Sequence, residues 1–182
     1  MTEKQAVYYE LLVLRCQQGR KDALEELIKT WEKRLYYFIR RLLNNEQEAW
    51  QVLQETWISV LRSIPRLREP RKLPVWLYST ARKTALHHIR AKYAEKSLMK
   101  EVENSITVGE REQNSVFEDA EQVHYGLDKI SLQHREALTL FFLRELSIDD
   151  ISEVLNVPTG TVKSRLFYAK QALRTALADE DK

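Results

Sequence analysis

The stretch from Ser147 to Leu177 constrains the fold of this chain most, because it predicts two helices joined by a tight turn. Ser147 is a preferred N-cap residue, and the acidic Asp150 follows three residues later as in a capping box. Asn156 readily adopts the left-handed conformation that ends a helix, and Pro158 cannot continue one. Helical spacing then predicts the buried stripe of a second helix, on Val162, Leu166, Ala169, Leu173 and Ala176.

The remaining face of this second helix is basic, since Pro158 to Leu177 contains four cations and no carboxylate. Lys and Arg bind phosphates or guanine edges, Ser binds bases or phosphate, and Phe contacts a thymine methyl. Two helices joined by a short turn form the helix-turn-helix, whose second helix enters the DNA major groove. The alternative is an ordinary amphipathic hairpin with a solvated basic face. The agreement of capping, turn and charge favours DNA binding.

The same residues resemble a known family. The run LNVPTGTVKSRL, from Leu155 to Leu166, is similar to region 4 of the sigma-70 family of bacterial RNA polymerase subunits. The nearest group is the extracytoplasmic-function (ECF) type, in which region 4 reads the minus-35 promoter element. The resemblance implies minus-35 contacts by Thr161, Lys163, Ser164, Arg165, Phe167, Tyr168 and Lys170.

The composition predicts an all-α protein for the rest of the chain. It is rich in Leu, Ala, Glu, Lys, Arg and Gln and contains only four Gly and four Pro among 182 residues. Apolar periodicity predicts three helices, over Gln5–Cys16, Asp22–Leu43 and Glu46–Ser63. The first of these carries Val7, Leu11 and Leu14 on one side.

The third of these helices carries a second resemblance. The run EAWQVLQETW, from Glu48 to Trp57, is similar to region 2.2 of the same family, which binds the clamp helices of the largest polymerase subunit. The resemblance implies polymerase contacts by Gln51, Gln54 and Glu55, with Trp57 as apolar support. Gln51 stands where the family usually has an acidic residue.

A strongly basic segment follows, with nine cations from Arg62 to Lys92 against the single carboxylate of Glu69. Such a segment suits single-stranded DNA, because cations follow the backbone and aromatic rings stack on unpaired bases. A merely solvated face is less favourable, because nine like charges repel one another without an anionic partner.

Within this segment, WLYSTARK, from Trp76 to Lys83, resembles regions 2.3 and 2.4, which melt and read the minus-10 element. The basic segment and the resemblance together imply minus-10 contacts by Arg66, Arg68, Arg71, Lys72, Trp76, Arg82, Lys83, His87 and Arg90. Lys83 replaces the usual Asn and His87 the usual Asp, so we expect an unusual minus-10 preference.

These segments predict two small helical domains. Region 2 is expected over residues 1–94 and region 4, with its helix-turn-helix, over residues 122–182. Residues 95–121 are polar and acidic without a sustained apolar stripe, which predicts a flexible linker. The absence of region 3 is typical of the ECF group.

The sequence favours a cytoplasmic protein that is not inserted in a membrane. Cys16 is the only cysteine, which excludes an intramolecular disulfide and suits a reducing compartment. The start resembles no signal peptide, and no apolar run approaches membrane-spanning length.

The function predicted on this basis is promoter selection and assistance to DNA melting as an ECF-type sigma factor. The expected partners are promoter DNA and core RNA polymerase, through its clamp helices and the flap of its second largest subunit. The sequence leaves open whether an anti-sigma factor also binds. The alternative is a stand-alone helix-turn-helix regulator with an N-terminal sensing or dimerisation domain. No nucleophile–base pair, phosphate-binding loop or metal cluster is evident, so we expect no enzyme activity, metal or cofactor.

Overall fold

The computed structural model describes residues 2–43, 45–100, 125–143 and 146–178, and every regular element in these residues is helical. This confirms the predicted all-α class. The helices are α1 (Glu3–Gln17), α2 (Lys21–Leu42), α3 (Glu46–Ser63), α4 (Leu73–Lys100), α5 (residues 125–129), α6 (Leu132–Leu138), α7 (Ile148–Leu155) and α8 (Thr159–Ala178). Two single 3-10 turns, Ile64–Arg66 and Pro70–Lys72, connect α3 to α4, and a π-helical turn, Thr139–Leu143, continues α6.

Aromatic side chains join three helices of the N-terminal domain. The Trp31 ring of α2 lies 5.6 Å from Tyr9 of α1 and 5.8 Å from Tyr78 of α4, between ring centroids. Tyr78 also meets Phe38 edge-to-face at 5.3 Å. Trp31 and Phe38 are almost fully buried, so these contacts lie at the centre of the core.

The predicted apolar side of α1 is wrong. Val7, Leu11 and Leu14 are all exposed, Leu11 to 57% of its surface. The helix instead buries the side that carries Ala6, Tyr9, Leu12, Val13 and Cys16. Apolar residues lie on most sides of α1, and the side that carries Tyr9 packs against Trp31.

Helix α7 of the helix-turn-helix begins and ends at the residues predicted from the sequence. Ser147 and Asp150 form the predicted capping box, and Asn156 adopts the predicted left-handed conformation with φ of 53°. Ile151, Val154 and Leu155 of α7 and Val162, Leu166 and Ala169 of α8 are buried. Phe142 is 49% exposed, because the π-helical turn changes the direction of its side chain relative to α6.

The N- and C-terminal domains pack against each other. Helix α4 lies against α7, and α2 lies against α6, so that one apolar core runs through both domains. Helix α4 reaches Lys100, beyond the predicted domain boundary at residue 94, and the rest of the predicted linker lies outside the described residues. Among the helices described, none combines the length and the apolar character needed to cross a membrane.

Candidate nucleic-acid interface

Helix α8 presents the basic and aromatic face predicted from the sequence. Its buried stripe points toward α6 and α7, which leaves the side chains of the opposite face in solvent. Lys163, Ser164 and Lys170 are exposed, and Phe167 and Tyr168 are 58% and 57% exposed. The two rings meet edge-to-face at 5.4 Å. Thr161 and Arg165 are half-buried at the edge of this face.

One contact extends the α8 face beyond the recognition helix. The ammonium of Lys170 lies 4.8 Å from the ring centroid of Phe142, which the π-helical turn holds at the surface. This cation–π contact holds the Lys170 ammonium in one position, whereas the ammonium of an uncontacted lysine is mobile. The sequence alone did not identify Phe142 as part of this surface, because its exposure depends on the π-helical turn.

The N-terminal domain presents a second basic surface on α4. Trp76, Lys83, His87 and Arg90 follow each other at intervals of seven, four and three residues, so they share one helical face. Lys83, His87 and Arg90 are exposed, and Trp76 is half-buried against the core. The structure therefore brings these four predicted residues together.

The loop before α4, residues 64–72, carries the other predicted cations. Arg66 and Arg68 are exposed. Arg71 instead pairs with α1, its Nε lying 2.8 Å from Glu10 and its Nη1 3.0 Å from Glu3. Arg71 is thus already occupied by carboxylates of its own domain.

Two further cations of the N-terminal domain pair with the C-terminal domain. Arg82 of α4 donates from Nε and Nη2 to the carboxylate of Glu136 on α6, at 2.9 and 3.3 Å. Lys72 donates to Glu153 of α7 at 2.8 Å. The C-terminal domain therefore covers part of the basic surface of the N-terminal domain with negative charge. No local pattern in the sequence indicates either carboxylate, because they lie 54 and 81 residues from their partners.

The two pairs differ in burial. Glu136 is 1% exposed, whereas the side chains of Lys72 and Glu153 are each 47% exposed. Burial raises the pKa of the Glu136 carboxyl above its usual range, and the guanidinium groups of Arg82 and Arg165 oppose the rise. The Arg82–Glu136 pair is consequently the strong ionic contact between the domains.

Two buried arginines lie where α2 meets α6. Arg135 donates from Nη1 to the backbone carbonyl of Arg41 at 3.2 Å, and the Arg41 guanidinium lies 5.3 Å from the ring of Tyr37. Within the described residues, Nε and Nη1 of Arg41 have no hydrogen-bond partner. A buried guanidinium with unpaired donors is costly, so this part of the interface is polar and incompletely paired.

The exposed face of α3 contains most of the predicted polymerase residues. Gln51 donates to Glu55 at 3.1 Å, and Gln54 is exposed beside them. Trp57 is only 8% exposed, so its ring lies beneath this face and is not available for direct contact. It lies four residues after the buried Leu53, and its ring turns into the core. Its role as apolar support of the face stays a prediction.

Three exposed apolar side chains flank this α3 face. Trp50, Ile58 and Leu61 are 44%, 49% and 39% exposed. Trp50 precedes Gln54 by four residues, and Ile58 and Leu61 follow it by four and seven, so all three lie on its side of the helix. Ile58 also lines an open cavity of about 330 Å³ together with Glu55, Ser59, Arg62 and Ser63. Ile58 and Leu61 could have been assigned to this face from the sequence, because they lie four and seven residues after Gln54.

No cluster of His, Cys, Asp and Glu suited to a metal ion occurs in the part of the chain that the structure describes. His88 instead faces Glu48 at 3.5 Å, and Glu48 also binds Lys92. These contacts tie the start of α3 to α4.

Comparison with known proteins explains the pair of basic surfaces. Residues 27–95 match the model for sigma-70 region 2, and residues 120–173 match the model for sigma-70 region 4. The RNA polymerase sigma-H factor of Pseudomonas aeruginosa is 31% identical over 177 residues, which cover 91% of this chain and 92% of that protein. The chain belongs to the sigma-70 family. The ECF RNA polymerase sigma factor SigC of Mycobacterium tuberculosis, 30% identical over 171 residues covering 93% and 90% of the two chains, places it in the ECF group.

A solved sigma-factor structure shares the fold. The sigma factor RpoE of Bartonella quintana, determined with the anti-sigma factor NepR, matches with a TM-score of 0.71 over 85% of this chain and 96% of its own, at 21% identity. The match to region 2 begins within α2 and ends within α4, and the match to region 4 includes α5 to α7 and most of α8.

Proposed function

We propose that this sigma factor directs core RNA polymerase to specific promoters and assists DNA melting there. The observation that carries the proposal is the presence of two basic surfaces, on α4 and α8, in the segments that match regions 2 and 4. Its relatives over nine-tenths of the chain are named as RNA polymerase sigma factors. The match to region 2 favours this role over a stand-alone helix-turn-helix regulator.

We assign region 2 to residues 1–94, a linker to residues 95–121 and region 4 to residues 122–182. The role requires no catalytic residue of its own, since polymerase carries out the chemistry. A protein that acts on polymerase and promoter DNA works in the bacterial cytoplasm, which is the location we propose.

Region 4 reads the minus-35 duplex through α8. Lys163, Ser164 and Phe167 project from the first turns of this helix, where groove-entering helices meet base edges. Arg165 lies at the edge of this face, and Tyr168 and Lys170 lie nearer the C-terminal end of α8. These three residues bind flanking phosphates. The same region binds the polymerase flap.

Region 2 binds the melted minus-10 strand through α4 and the loop before it. The exposed Arg66 and Arg68 follow the phosphates, and the Trp76–Arg90 face supplies a ring and three basic side chains. Arg82 and Lys72 add to this surface only after they leave Glu136 and Glu153. Region 4 and single-stranded DNA therefore compete for part of region 2.

It follows that regions 2 and 4 separate before the minus-10 strand is fully bound. The polar and incompletely paired contacts of Arg41 make such a separation less costly than the parting of a wholly apolar interface. The NepR complex belongs to the Bartonella protein.

The face of α3 with Gln51, Gln54 and Glu55 binds the clamp helices, and the exposed Ile58 and Leu61 extend it with apolar area. The test is co-purification of the full chain with bacterial core polymerase. The double substitution Gln54→Ala and Glu55→Lys is expected to weaken the complex, because it removes two polar contacts of this face. It is expected to leave the fold intact, because both side chains lie outside the core.

The matched control is Glu32→Lys, which reverses an exposed charge on α2. It is expected to leave the complex unchanged. Equal retention of core polymerase by the double variant and the control would refute the assignment of α3.

A further inference from the structure

One face of α1 is directed at the loop between α3 and α4. Glu3, Glu10 and Gln17 are spaced seven residues apart, which places them on one side of the helix. All three contact residues 64–71. We name them the α1 contact face.

Gln17 makes the most specific of these contacts. Its side-chain amide donates to the backbone carbonyls of Ile64 at 3.0 Å and Leu67 at 2.9 Å. Both partners are acceptors, so the two hydrogens of one amide group are matched to two carbonyls three residues apart. The contact bridges the first 3-10 turn of the loop and is half-buried.

Gln17 is placed for this contact by the end of α1. It is the last residue of the helix, and Gly19, with φ of 76°, turns the chain away immediately afterwards. A residue with a side chain is strained at that φ, so glycine fixes where α1 ends.

The second attachment is ionic. Arg71 lies in the second 3-10 turn and binds Glu10 and Glu3 at 2.8 and 3.0 Å. The first turn is thus held by an amide and the second by two carboxylates. Arg66 lies between the two carbonyls that Gln17 binds, Arg68 lies between Leu67 and Arg71, and both arginines are exposed.

We infer that α1 is a positioning element for minus-10 recognition. It holds the 64–72 loop so that the phosphate contacts of Arg66 and Arg68 fix the register of the DNA strand on the Trp76–Arg90 face, which reads the bases. Arg71 is accordingly a positioning residue whose partners are Glu3 and Glu10. The segment that matches region 2 begins at residue 27, so α1 lies outside it. The inference rests on the proposed function, because it needs region 2 to read the minus-10 strand.

The test uses the full chain with bacterial core polymerase and a DNA pool randomised across both promoter elements and the spacer. Sequencing of the transcribed templates gives the base preference at each element separately. Gln17→Ala is expected to lower discrimination at the minus-10 element about fivefold to a hundredfold, because it removes two hydrogen bonds of ordinary net strength. Preference at the minus-35 element is expected to stay unchanged.

Two variants serve as controls. Gln17→Lys retains donors for both carbonyls and is expected to restore much of the minus-10 preference. Gln18→Ala alters the neighbouring exposed side chain and is expected to behave as the parent protein. Unchanged minus-10 preference in Gln17→Ala, or an equal loss at both elements, would overturn the inference.

A charge exchange tests Arg71 independently of Gln17. Arg71→Glu and Glu10→Arg are each expected to lower minus-10 discrimination, and the double exchange is expected to recover it. A double variant as defective as Arg71→Glu would show that Arg71 contacts phosphate and overturn its positioning role. A parent protein that selects no promoter motif would refute the proposed function and the positioning role together, whereas selection unaffected by every α1 variant would refute the positioning role alone.

Discussion

The ion pair between Arg82 and Glu136 allows a direct test of whether regions 2 and 4 pack together. Glu136→Gln keeps the shape of the side chain and removes its charge. Hydrogen bonds to charged groups contribute about 1.5–3 kcal/mol, and loss of one partner from a fully buried pair costs about 3–5 kcal/mol. Arg82 retains 21% exposure of its side chain, so water compensates in part and the lower range applies. The ratio of separated to packed domains is then expected to rise about tenfold to a hundredfold.

Energy transfer between two dyes measures this ratio. Glu32 on α2 and Gln171 on α8 are exposed and suit labelling as cysteines, while Cys16 is 4% exposed and reacts slowly. The parent protein is expected to show one short and narrow distance distribution. Glu136→Gln is expected to add a second, longer and broader one.

Glu153→Gln is the matched comparison, since it also removes a carboxylate that bridges the domains. Lys72 and Glu153 are each about half exposed, so loss of their pair is expected to change the distribution hardly at all. An unchanged distribution in Glu136→Gln would refute the reasoning, as would equal opening in both variants.

Three further predictions concern other parts of the chain. Lys163→Ala is expected to weaken the free energy of binding to the preferred minus-35 sequence by about 1–3 kcal/mol and to reduce the preference at one base pair. Lys170→Ala is expected to weaken binding to all sequences alike. Binding to single-base variants at two salt concentrations separates the two effects. Ser147→Ala is expected to lower the free energy of unfolding by about 1 kcal/mol in urea denaturation, because it removes the acceptor of the Asp150 amide; an unchanged midpoint would contradict this. Hydrogen bonds from Arg20 and Arg15 lower the pKa of Asp22 from 3.8 to about 2, so its contribution to stability is complete above pH 3.8 and is lost as the pH falls through 2. A carboxyl titration by NMR checks this value, and a midpoint near 3.8 would contradict it.

The sequence predicts the helices well where local signals agree. Helix α3 begins and ends at the predicted residues, because Asn45 caps its start and its apolar stripe has a clear helical period. The helix-turn-helix is predicted equally well by Ser147, Asn156 and the α8 stripe. Helix α1 lacks such a clear period, and its buried side is decided by its fit against Trp31.

The sequence predicts which segments of the candidate sites are basic, but it does not predict which carboxylate each cation pairs with. The basic character of the loop and α4 is visible in the sequence, yet the pairing of Arg82 with Glu136 depends on how two separate domains meet. The pairing of Arg71 with Glu10 likewise joins residues 61 positions apart. Each of these contacts pairs an expected DNA-binding cation with a carboxylate of the same chain, and only tertiary packing determines which cations are paired.

Run-off transcription by core polymerase from a pool of genomic fragments tests the central claim most directly. With the full chain present, we expect discrete start sites whose upstream DNA shares a minus-35 and a minus-10 motif. Core polymerase alone is expected to give none of them. Identical transcripts with and without the chain would contradict its assignment as a promoter-specificity subunit.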